Sequence, residues 1–380
     1  MISIQDKAAM AFFHINPSEA RIASSNALLA QLTNEKDFAD SLVRLGIAPL
    51  VYHNRAHYQL SPTLLQTVTA AYHHTLMRSM RLAAAFQELA KACKQQNINI
   101  IPLKGIYLSD ALYHNVGLRL MSDIDILVKP EDALACMSVL RNLGYLCHEN
   151  FEAIENTEVI HYDPFVRDGV MVEIHIKLHR KIEKYDLSPT LIWQHSLEAT
   201  VHGCPVHVMD VYDTLIFCCL HLDRHFNNKG IQFTGYADIV NLLATTPANF
   251  SYAELENRCT TYNCSTQVFK HILMAQKHLN ANVPSTLVER YAHTLRPPDE
   301  QRFIHFLQGN NAFDTGMPRH LSNIIYVKGY TNKIKYVVNS VIPPASFIRT
   351  KYKLQPNQSV GWYYLHRWFN GLIGLLKMRR

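Results

Sequence analysis

Two hydrophobic patterns alternate along the chain and divide it into helical and strand segments. Up to about residue 96, apolar residues recur every three or four positions with few internal breakers, and this spacing predicts helices. Ser61-Pro62 is typical of a helix start, with the serine as N-cap and the proline in the first turn. Between about residues 97 and 180 a period of two appears and predicts strands. From about residue 187 the helical spacing returns and continues to about residue 308.

The period-two region predicts a small sheet with helices between its strands. Residues 98–103 form the first predicted strand, which runs into a short helix through a Lys104-Gly105 turn. Residues 123–128 form the second strand, and a helix then begins at the proline of a Pro-Glu-Asp sequence and ends near Gly144. We therefore expect an α/β segment set between helical segments.

Three carboxylates are predicted to meet at one edge of this sheet. Asp123 and Asp125 alternate with apolar residues, so both side chains point to the same face of their strand. The two strands that flank Asp168-Gly169 should form a hairpin, because this dipeptide supplies the positive φ of a tight turn. The hairpin would bring Glu173 alongside the two aspartates.

Neighbouring carboxylates repel each other unless a cation lies between them, and hard oxygen ligands suit Mg²⁺ with a phosphate substrate. The strand-to-helix turn at Lys104-Gly105 is typical of anion sites, where backbone N–H groups and a helix N-terminus favour phosphate. His175 shares the face of Glu173 and is predicted to orient a metal-bound carboxylate without contacting the metal.

These residues, in this order, resemble the uncharacterised nucleotidyltransferase family of the DNA polymerase β-like superfamily. The resemblance covers most of the chain, and it implies an α+β, mainly helical fold. In that fold a polymerase β-like α/β core with a mixed sheet is flanked by N-terminal and C-terminal helical domains. The motifs that carry the resemblance are LKG at 103–105, Tyr113, RLMSDIDILV at 119–128, LGY at 143–145, EIH at 173–175, and HLDRH and YADIVNLL near 221–225 and 236–243.

The resemblance also implies a reaction and its metal. Asp123 and Asp125 would bind catalytic Mg²⁺ (or Mn²⁺), and Glu173 would be the third carboxylate ligand. The expected reaction transfers a nucleoside monophosphate from an NTP, with ATP as the expected donor, to an unidentified small molecule, sugar or protein, and releases pyrophosphate. The Gly-Ser phosphate turn usual in the superfamily is Lys104-Gly105 here, with a longer gap to the first aspartate, so the triphosphate contact stays open.

Four residues near the carboxylates are candidates for phosphate binding. Lys104 and Gly105 form the turn, and Lys104 would be a counter-charge for the β- or γ-phosphate. Arg119 would either play the same part or pair with Asp123. Ser122 is either a phosphate donor or a plain turn residue.

The later helical motif carries further polar candidates. His221 and His225 are four residues apart and lie on one helical face, a spacing that can bind metal. No acidic residue follows His221 directly, as the helix of a zinc protease requires, so a structural or substrate-facing pair is the favoured interpretation. Asp238 could be a helix cap, a salt-bridge partner or a residue that faces the active cleft.

The composition is that of a globular protein: 48% of its 380 residues are apolar and 18% are charged. No apolar run of about 18 residues exists, so no transmembrane span is predicted. The scattered cysteines favour reduced thiols and a cytoplasmic location. The predicted domains are an N-terminal helical region at 1–96, the catalytic core at 97–186, a helical domain at 187–314 and a basic, aromatic-rich region at 315–380.

The net charge of +6 is concentrated at the C-terminal end. After Asp314 there are eleven Lys and Arg residues and no acidic residue. This asymmetry predicts an anionic partner, which would be nucleic acid, a membrane surface or a phosphorylated substrate. The last twenty residues resemble either an interfacial helix, peripheral to a membrane, or a final helix packed on the rest of the protein.

Two other functions stay open at this stage. One is a non-catalytic binding or regulatory protein that keeps the fold and acts through its basic C-terminal region. The other is a polymerase that extends nucleic-acid ends, which would show the same three carboxylates.

Overall fold

The computed structural model describes residues 2–147, 160–180, 183–228, 232–309, 345 and 359–365. Most of them belong to one compact unit built from residues 1–180 and 185–313. A second unit comprises residues 181–184 and 314–380, and within it residues 361–365 are helical. Most of the predicted C-terminal amphipathic helix lies outside the described residues.

Helices dominate the first unit, as the three- and four-residue spacing predicts. Ser61 accepts a hydrogen bond from the Leu64 N–H and caps the longest helix, whose first residue is Pro62. The α-helices of the described residues are α1 (Ile4–Met10), α2 (Glu19–Leu29), α3 (Glu35–Leu45), α4 (Ala48–His53), α5 (Pro62–Gln95), α6 (Lys104–Ala111), α7 (Ala133–Asn142), α8 (Pro189–His195), α9 (Val211–Asn228), α10 (Phe233–Ala244), α11 (Tyr252–Thr261), α12 (Ser265–Leu279), α13 (Ser285–Tyr291) and α14 (Pro297–Leu307). None of the helices in these ranges is both long and apolar enough to cross a bilayer.

A four-stranded mixed sheet lies between the helices. Its strands are β1 (Ile101–Leu103), β2 (Ile124–Leu127), β3 (Phe165–Arg167) and β4 (Val170–His175). Their order is β1-β2-β4-β3; β2 and β4 run parallel, and the two outer pairs are antiparallel. The predicted hairpin is confirmed, with Asp168 and Gly169 at φ of 49° and 76° between β3 and β4. The mixed sheet within a mainly helical chain agrees with the predicted fold class.

Both predicted strand starts in the first half of the sheet are too early. β1 begins at Ile101 rather than at residue 98, because the Ile98 N–H is bonded to the Cys93 carbonyl and completes the end of α5. β2 begins at Ile124 rather than at Asp123. Asp123 therefore precedes the strand ladder, whereas Asp125 lies inside it.

A second hairpin interrupts the helical segment expected from about residue 187: α8 (Pro189–His195) is helical, but the next residues form two strands. Strands β5 (Leu197–Val201) and β6 (Cys204–Val208) pair in antiparallel register through a turn at His202-Gly203, where φ is positive at both residues. The His207 N–H donates to the Ile100 carbonyl, which joins this hairpin to the segment before β1. The prediction of continuous helix is wrong here, since two residues with positive φ favour a tight hairpin.

Helix α5 joins two hydrophobic cores. Its first turns place Leu64 and Val68 in the helical core, and its last turns place Phe86 and Leu89 in the core beneath the sheet. Each fully buried side chain of this size contributes about 1.5–3 kcal/mol through burial of apolar surface. One 34-residue helix therefore fixes the sheet against the helical part of the unit. All eight cysteines are free thiols, and seven of them are buried.

Gly46 gives a test of how α3 packs on α10. It ends α3 at φ 73°, and a Cβ built on it would lie 2.5 Å from the Thr234 methyl group. Gly203 has nearly the same φ and open space around it. We expect Gly203→Ala to lower the free energy of unfolding by about 1 kcal/mol through backbone strain. Gly46→Ala should cost a further amount of about 1–3 kcal/mol through overpacking.

Urea unfolding of both variants measures the difference. Thr234→Ser removes the clashing methyl group, so it should recover most of the extra loss in Gly46→Ala. Equal losses for Gly46→Ala and Gly203→Ala would contradict this close approach of α3 and α10.

Candidate active site

Parallel pairing of β2 with β4 places two carboxylates side by side. Asp125 and Glu173 are direct partners in the register, and the preceding pair and the following pair are apolar and buried. On the other side of β2, Leu103 pairs with Asp125, and Lys104 follows Leu103 as the first residue of α6. Strands β2 and β4 and the end of β1 thus place two carboxylates and one lysine ammonium group next to each other.

Both oxygens of the Asp125 carboxylate have partners. His175 Nε2 donates to Oδ1 at 2.8 Å, and Lys104 Nζ lies 3.0 Å from Oδ2. Burial alone would raise the pKa of Asp125, but the Lys104 ammonium and the His175 hydrogen bond outweigh it and hold the pKa well below its usual range. Asp125 is therefore ionised at neutral pH although it is only 3% exposed.

For Glu173 the interactions that raise the pKa outweigh those that lower it. Burial, together with the negative charges of Asp125 and Asp123, raises the pKa of Glu173 to about 7. The nearest cationic candidates are His175 and His161, whose Nε2 atoms lie 3.8 and 3.5 Å from Glu173 Oε2. Burial lowers the pKa of His175 to about 4, so this imidazole is neutral at pH 7 and does not compensate Glu173.

Asp125, Glu173 and His175 can offer ligand atoms to one ion. One possible ligand atom from each of the three lies within 4.8 Å of the other two. Among the described residues, no other group of three Asp, Glu, His or Cys side chains meets this distance. The Nδ1 atom of His175 is buried and has no hydrogen-bond partner among the described residues. Asp123 lines the same cleft outside this trio; burial and the charge of Asp125 raise its pKa, while a hydrogen bond from Ser122 lowers it.

Arg119 pairs with a residue far away in the sequence. Its Nε and Nη2 atoms donate to the two oxygens of Asp238 at 2.7–3.1 Å, and the Tyr113 hydroxyl donates to the same carboxylate at 2.9 Å. The expected alternative partner, Asp123, is not its salt-bridge partner. Asp238 is thus a buried salt-bridge partner in α10, one of the three roles considered for it.

A cavity of about 710 Å³ is lined by Asp123, Asp125 and Glu173 and extends to the helices. Lys104, Gly105, Arg119 and Ser122 all line it, so the predicted phosphate-binding residues lie together with the three carboxylates. Its size is within the range of small-molecule sites. Helices α3, α5, α9 and α10 and several loop residues supply the remainder of the lining.

The histidine pair of α9 lies in this cavity. The rings of His221 and His225 are 4.5 Å apart in an edge-on arrangement. The Nδ1 atom of His221 is buried and, within the described ranges, has no hydrogen-bond partner. Burial, followed by the positive charge of Lys104, lowers the pKa of His221 well below its usual value. The pair faces the space next to the carboxylates and belongs to no cluster of three metal-ligating side chains in the described residues.

Four arginines of the lining, Arg44, Arg78, Arg180 and Arg224, were absent from the sequence-based candidates. Arg44 donates to the carbonyls of Phe306 and Leu307, and Arg78 donates to the carbonyls of Met121 and Ser122. Both are exposed residues of helices, and such residues ordinarily form a solvated face. No local sequence signal separates them from other surface arginines.

Comparison of the sequence with known protein families identifies the family of this chain. A sequence model described as an uncharacterised nucleotidyltransferase matches residues 32–280, which is well over half of the chain. The chain belongs to this nucleotidyltransferase family. The predicted family is therefore confirmed, and the matched range contains all the carboxylates of the cleft. A search of curated proteins gave no match.

Solved nucleotidyltransferase structures are distant from this one. The solution structure of the antibiotic-resistance factor ANT(2'')-Ia matches with 13% identity and a TM-score of 0.30, covering 57% of this chain and 98% of that one. The crystal structure of ANT(2")-Ia in complex with adenylyl-2"-tobramycin matches with 13% identity and a TM-score of 0.29, covering 50% and 95%. A nucleotidyltransferase-like antigenic protein from Paracoccidioides brasiliensis matches with 15% identity and a TM-score of 0.32, covering 56% and 98%.

The Arg119–Asp238 pair gives a stability prediction. The two side chains are 12% and 3% exposed, so removal of one leaves a buried charge without its partner. We expect Arg119→Met to lower the free energy of unfolding by about 3–5 kcal/mol. Arg119→Met combined with Asp238→Asn should lose clearly less than the sum of the two single variants.

Urea unfolding of the four proteins in this cycle measures the coupling. Additive losses, or a loss below about 1 kcal/mol for Arg119→Met, would fit a solvent-exposed pair and would contradict the buried one.

Proposed function

We propose that this protein is a metal-dependent nucleotidyltransferase that uses ATP to place a nucleoside monophosphate on an acceptor hydroxyl. The observation that carries the proposal is the register pairing of Asp125 with Glu173 inside a cavity that also holds Lys104. Two adjacent acids and one base in a cavity of small-molecule size suit a metal-bound triphosphate. Family membership supports the same chemistry.

The side chains present fit Mg²⁺ or Mn²⁺. Asp125 and Glu173 offer hard carboxylate oxygens at close range, and Asp123 lies at the same end of β2. The raised pKa of Glu173 reflects its burial and then the negative charges of Asp125 and Asp123, which a divalent ion would neutralise. We propose Asp123, Asp125 and Glu173 as ligands, with His175 orienting Asp125. When bound, the metal supplies charge stabilisation at the reacting phosphorus and at the entering and leaving oxygens.

The transfer itself is an in-line displacement at the α-phosphorus. The acceptor oxygen forms a bond to phosphorus, the bond to the bridging oxygen of pyrophosphate breaks, and the hydroxyl proton passes to Glu173 or to solvent. When the nucleotide binds, the Lys104 ammonium leaves Asp125 and contacts a phosphate oxygen. There it balances the charge of the leaving pyrophosphate. The protein's contribution is therefore position and electrostatics.

The start of α6 supports the phosphate side of the proposal. Gly105 is buried, and a Cβ there would lie 2.5 Å from Nη1 of Arg119 and 2.9 Å from the Met121 side chain. Only glycine lets the first turn of α6 approach the Arg119 loop this closely. Backbone N–H groups at a helix N-terminus favour anions. We propose that Lys104 and Gly105 hold the triphosphate, with Arg119 as a fixed positive charge behind them and Ser122 as a turn residue that positions Asp123.

Nucleotide binding tests this function. Calorimetric titration with ATP and Mg²⁺ should show binding to the wild-type protein that requires the metal. Asp125→Asn and Glu173→Gln should each weaken that binding by about tenfold or more, equivalent to about 1.4 kcal/mol or more. Each replacement removes one charged ligand of nearly unchanged shape.

Glu131→Gln is the matched control, since Glu131 is exposed and does not line the cavity. Its affinity should stay within about twofold of wild type, which corresponds to the small effect expected of a distant surface charge. Absence of binding by any of the four NTPs, with or without metal, would contradict the transferase function.

The raised pKa of Glu173 predicts a pH dependence of metal affinity. A carboxylic acid must lose its proton before it binds metal, so binding improves as the pH rises through the pKa of about 7. Between pH 6 and pH 8 the affinity for Mn²⁺ should therefore increase about tenfold and then level off. In Glu173→Gln this increase should disappear. Equal wild-type affinities at pH 6 and pH 8, measured by the paramagnetic signal of free Mn²⁺, would contradict the assignment of Glu173.

A further inference from the structure

The carboxylates of the cavity are confined to one side of it. Asp123, Asp125 and Glu173 all come from β2 and β4 or the residue just before β2, and Lys104, Arg119 and Arg180 also line the cavity outside α3, α5 and α9. The side formed by helices α3, α5 and α9, here called the helical wall, comprises Arg44, His74, Arg78, His221, Arg224 and His225 together with Leu45. The helical wall therefore contributes three guanidinium groups and no carboxylate to the described lining.

Two of these guanidinium groups are held in place by neutral carbonyl oxygens. Arg44 spans the Phe306 and Leu307 carbonyls at 3.1 and 2.7 Å, at the end of α14. Arg78 is bound to carbonyls of the loop that enters β2, with Nε–O and Nη2–O distances of 2.8 and 3.2 Å. A carbonyl fixes the position of a guanidinium without cancelling its charge. Each group also keeps further N–H donors for a ligand.

His221 gives an independent sign of a ligand on this wall. Its buried Nδ1 atom has no partner in the described part of the chain. A buried polar atom without a hydrogen bond is unfavourable, and a ligand hydroxyl or amide can supply the missing partner. Burial is the main cause that lowers the pKa of His221; Lys104, His225 and Arg224 act in the same direction and Asp125 in the opposite one.

We propose that the helical wall is the acceptor site and that the acceptor is a small hydroxyl compound bearing a phosphate group. The inference rests on the proposed transferase function. In an in-line displacement the acceptor enters opposite the leaving pyrophosphate, so it needs a place apart from Lys104 and the start of α6. Arg44 and Arg78 bind its phosphate by charge-assisted hydrogen bonds, and His221 receives or donates a hydrogen bond at its hydroxyl-bearing part. A polycationic acceptor is disfavoured, because the wall already carries like charge.

Matched pairs of probes test the acceptor class. The wild-type protein is first saturated with a non-hydrolysable ATP analogue and Mg²⁺, and it is then titrated by calorimetry with glycerol 3-phosphate and glucose 6-phosphate. Glycerol, glucose and glucosamine are the neutral and cationic counterparts. We expect each phosphorylated compound to bind more tightly than its counterparts by about tenfold or more, since only the phosphate can form charge-assisted hydrogen bonds with the arginines.

Variants then assign the effect to the wall. Arg44→Gln should lower the preference for phosphate about threefold or more, while the affinity for the ATP analogue changes by about twofold at most. Arg44→Lys should restore part of the preference, and thermal unfolding verifies that each variant is folded. Arg55→Gln is the control, because Arg55 is also exposed and donates to a carbonyl but does not line the cavity.

Three outcomes would overturn the proposal. Equal binding of phosphorylated and neutral probes, or tighter binding of glucosamine, contradicts the acceptor class. A parallel loss of ATP-analogue binding in Arg44→Gln assigns Arg44 to the donor instead. Preferential nucleotidyl transfer to the 3′ end of an oligonucleotide contradicts a small acceptor. Failure of the wild-type protein to bind the ATP analogue would refute the transferase function itself, and this outcome is seen before any acceptor probe is added.

Discussion

The proximity of Asp125 and Glu173 is the constraint on which the rest of the site depends. Parallel pairing of β2 with β4 makes the two residues direct neighbours, and the sheet cannot separate them without changing its register. A one-residue slip would turn every apolar side chain of β2 to the wrong face. The resulting repulsion is divided unequally: Lys104 and His175 keep Asp125 ionised, and Glu173 keeps its proton up to about pH 7. A divalent cation would neutralise the remaining repulsion between the two carboxylates, and for this reason the geometry favours metal binding.

Polar contacts of high sequence separation hold this sheet edge in place. The Arg119–Asp238 pair joins the loop before β2 to α10 and is supported by the Tyr113 hydroxyl. Arg78 binds the same loop from α5, which itself spans both hydrophobic cores. The helical segments are therefore part of the site, because they fix the direction from which Asp123 and Asp125 enter the cavity. The same helical segments supply the arginines of the helical wall.

Local patterns predicted the parts of the site that depend on local geometry. Alternation within residues 123–128 predicted the face of Asp125, and Asp168-Gly169 predicted the turn that aligns Glu173. The partner of Arg119 is 119 residues away, so no spacing rule could identify it. Arg44 and Arg78 were missed for a related reason: an arginine on an exposed helical face has the same local sequence whether it faces solvent or a cavity. The β5–β6 hairpin was missed although its His202-Gly203 turn and alternating residues were present in the sequence.

The central claim is that Asp125 and Glu173 hold a metal beside the triphosphate of a nucleotide. A crystal structure with Mn²⁺ and a non-hydrolysable ATP analogue tests it most directly, because manganese gives an anomalous signal. We expect an anomalous peak about 2.1 Å from an oxygen of each carboxylate, a distance typical of small divalent ions. Lys104 Nζ should have left Asp125 for a phosphate oxygen. A manganese ion bound elsewhere in the cavity, or a nucleotide bound while the Lys104–Asp125 pair stays intact, would contradict the account.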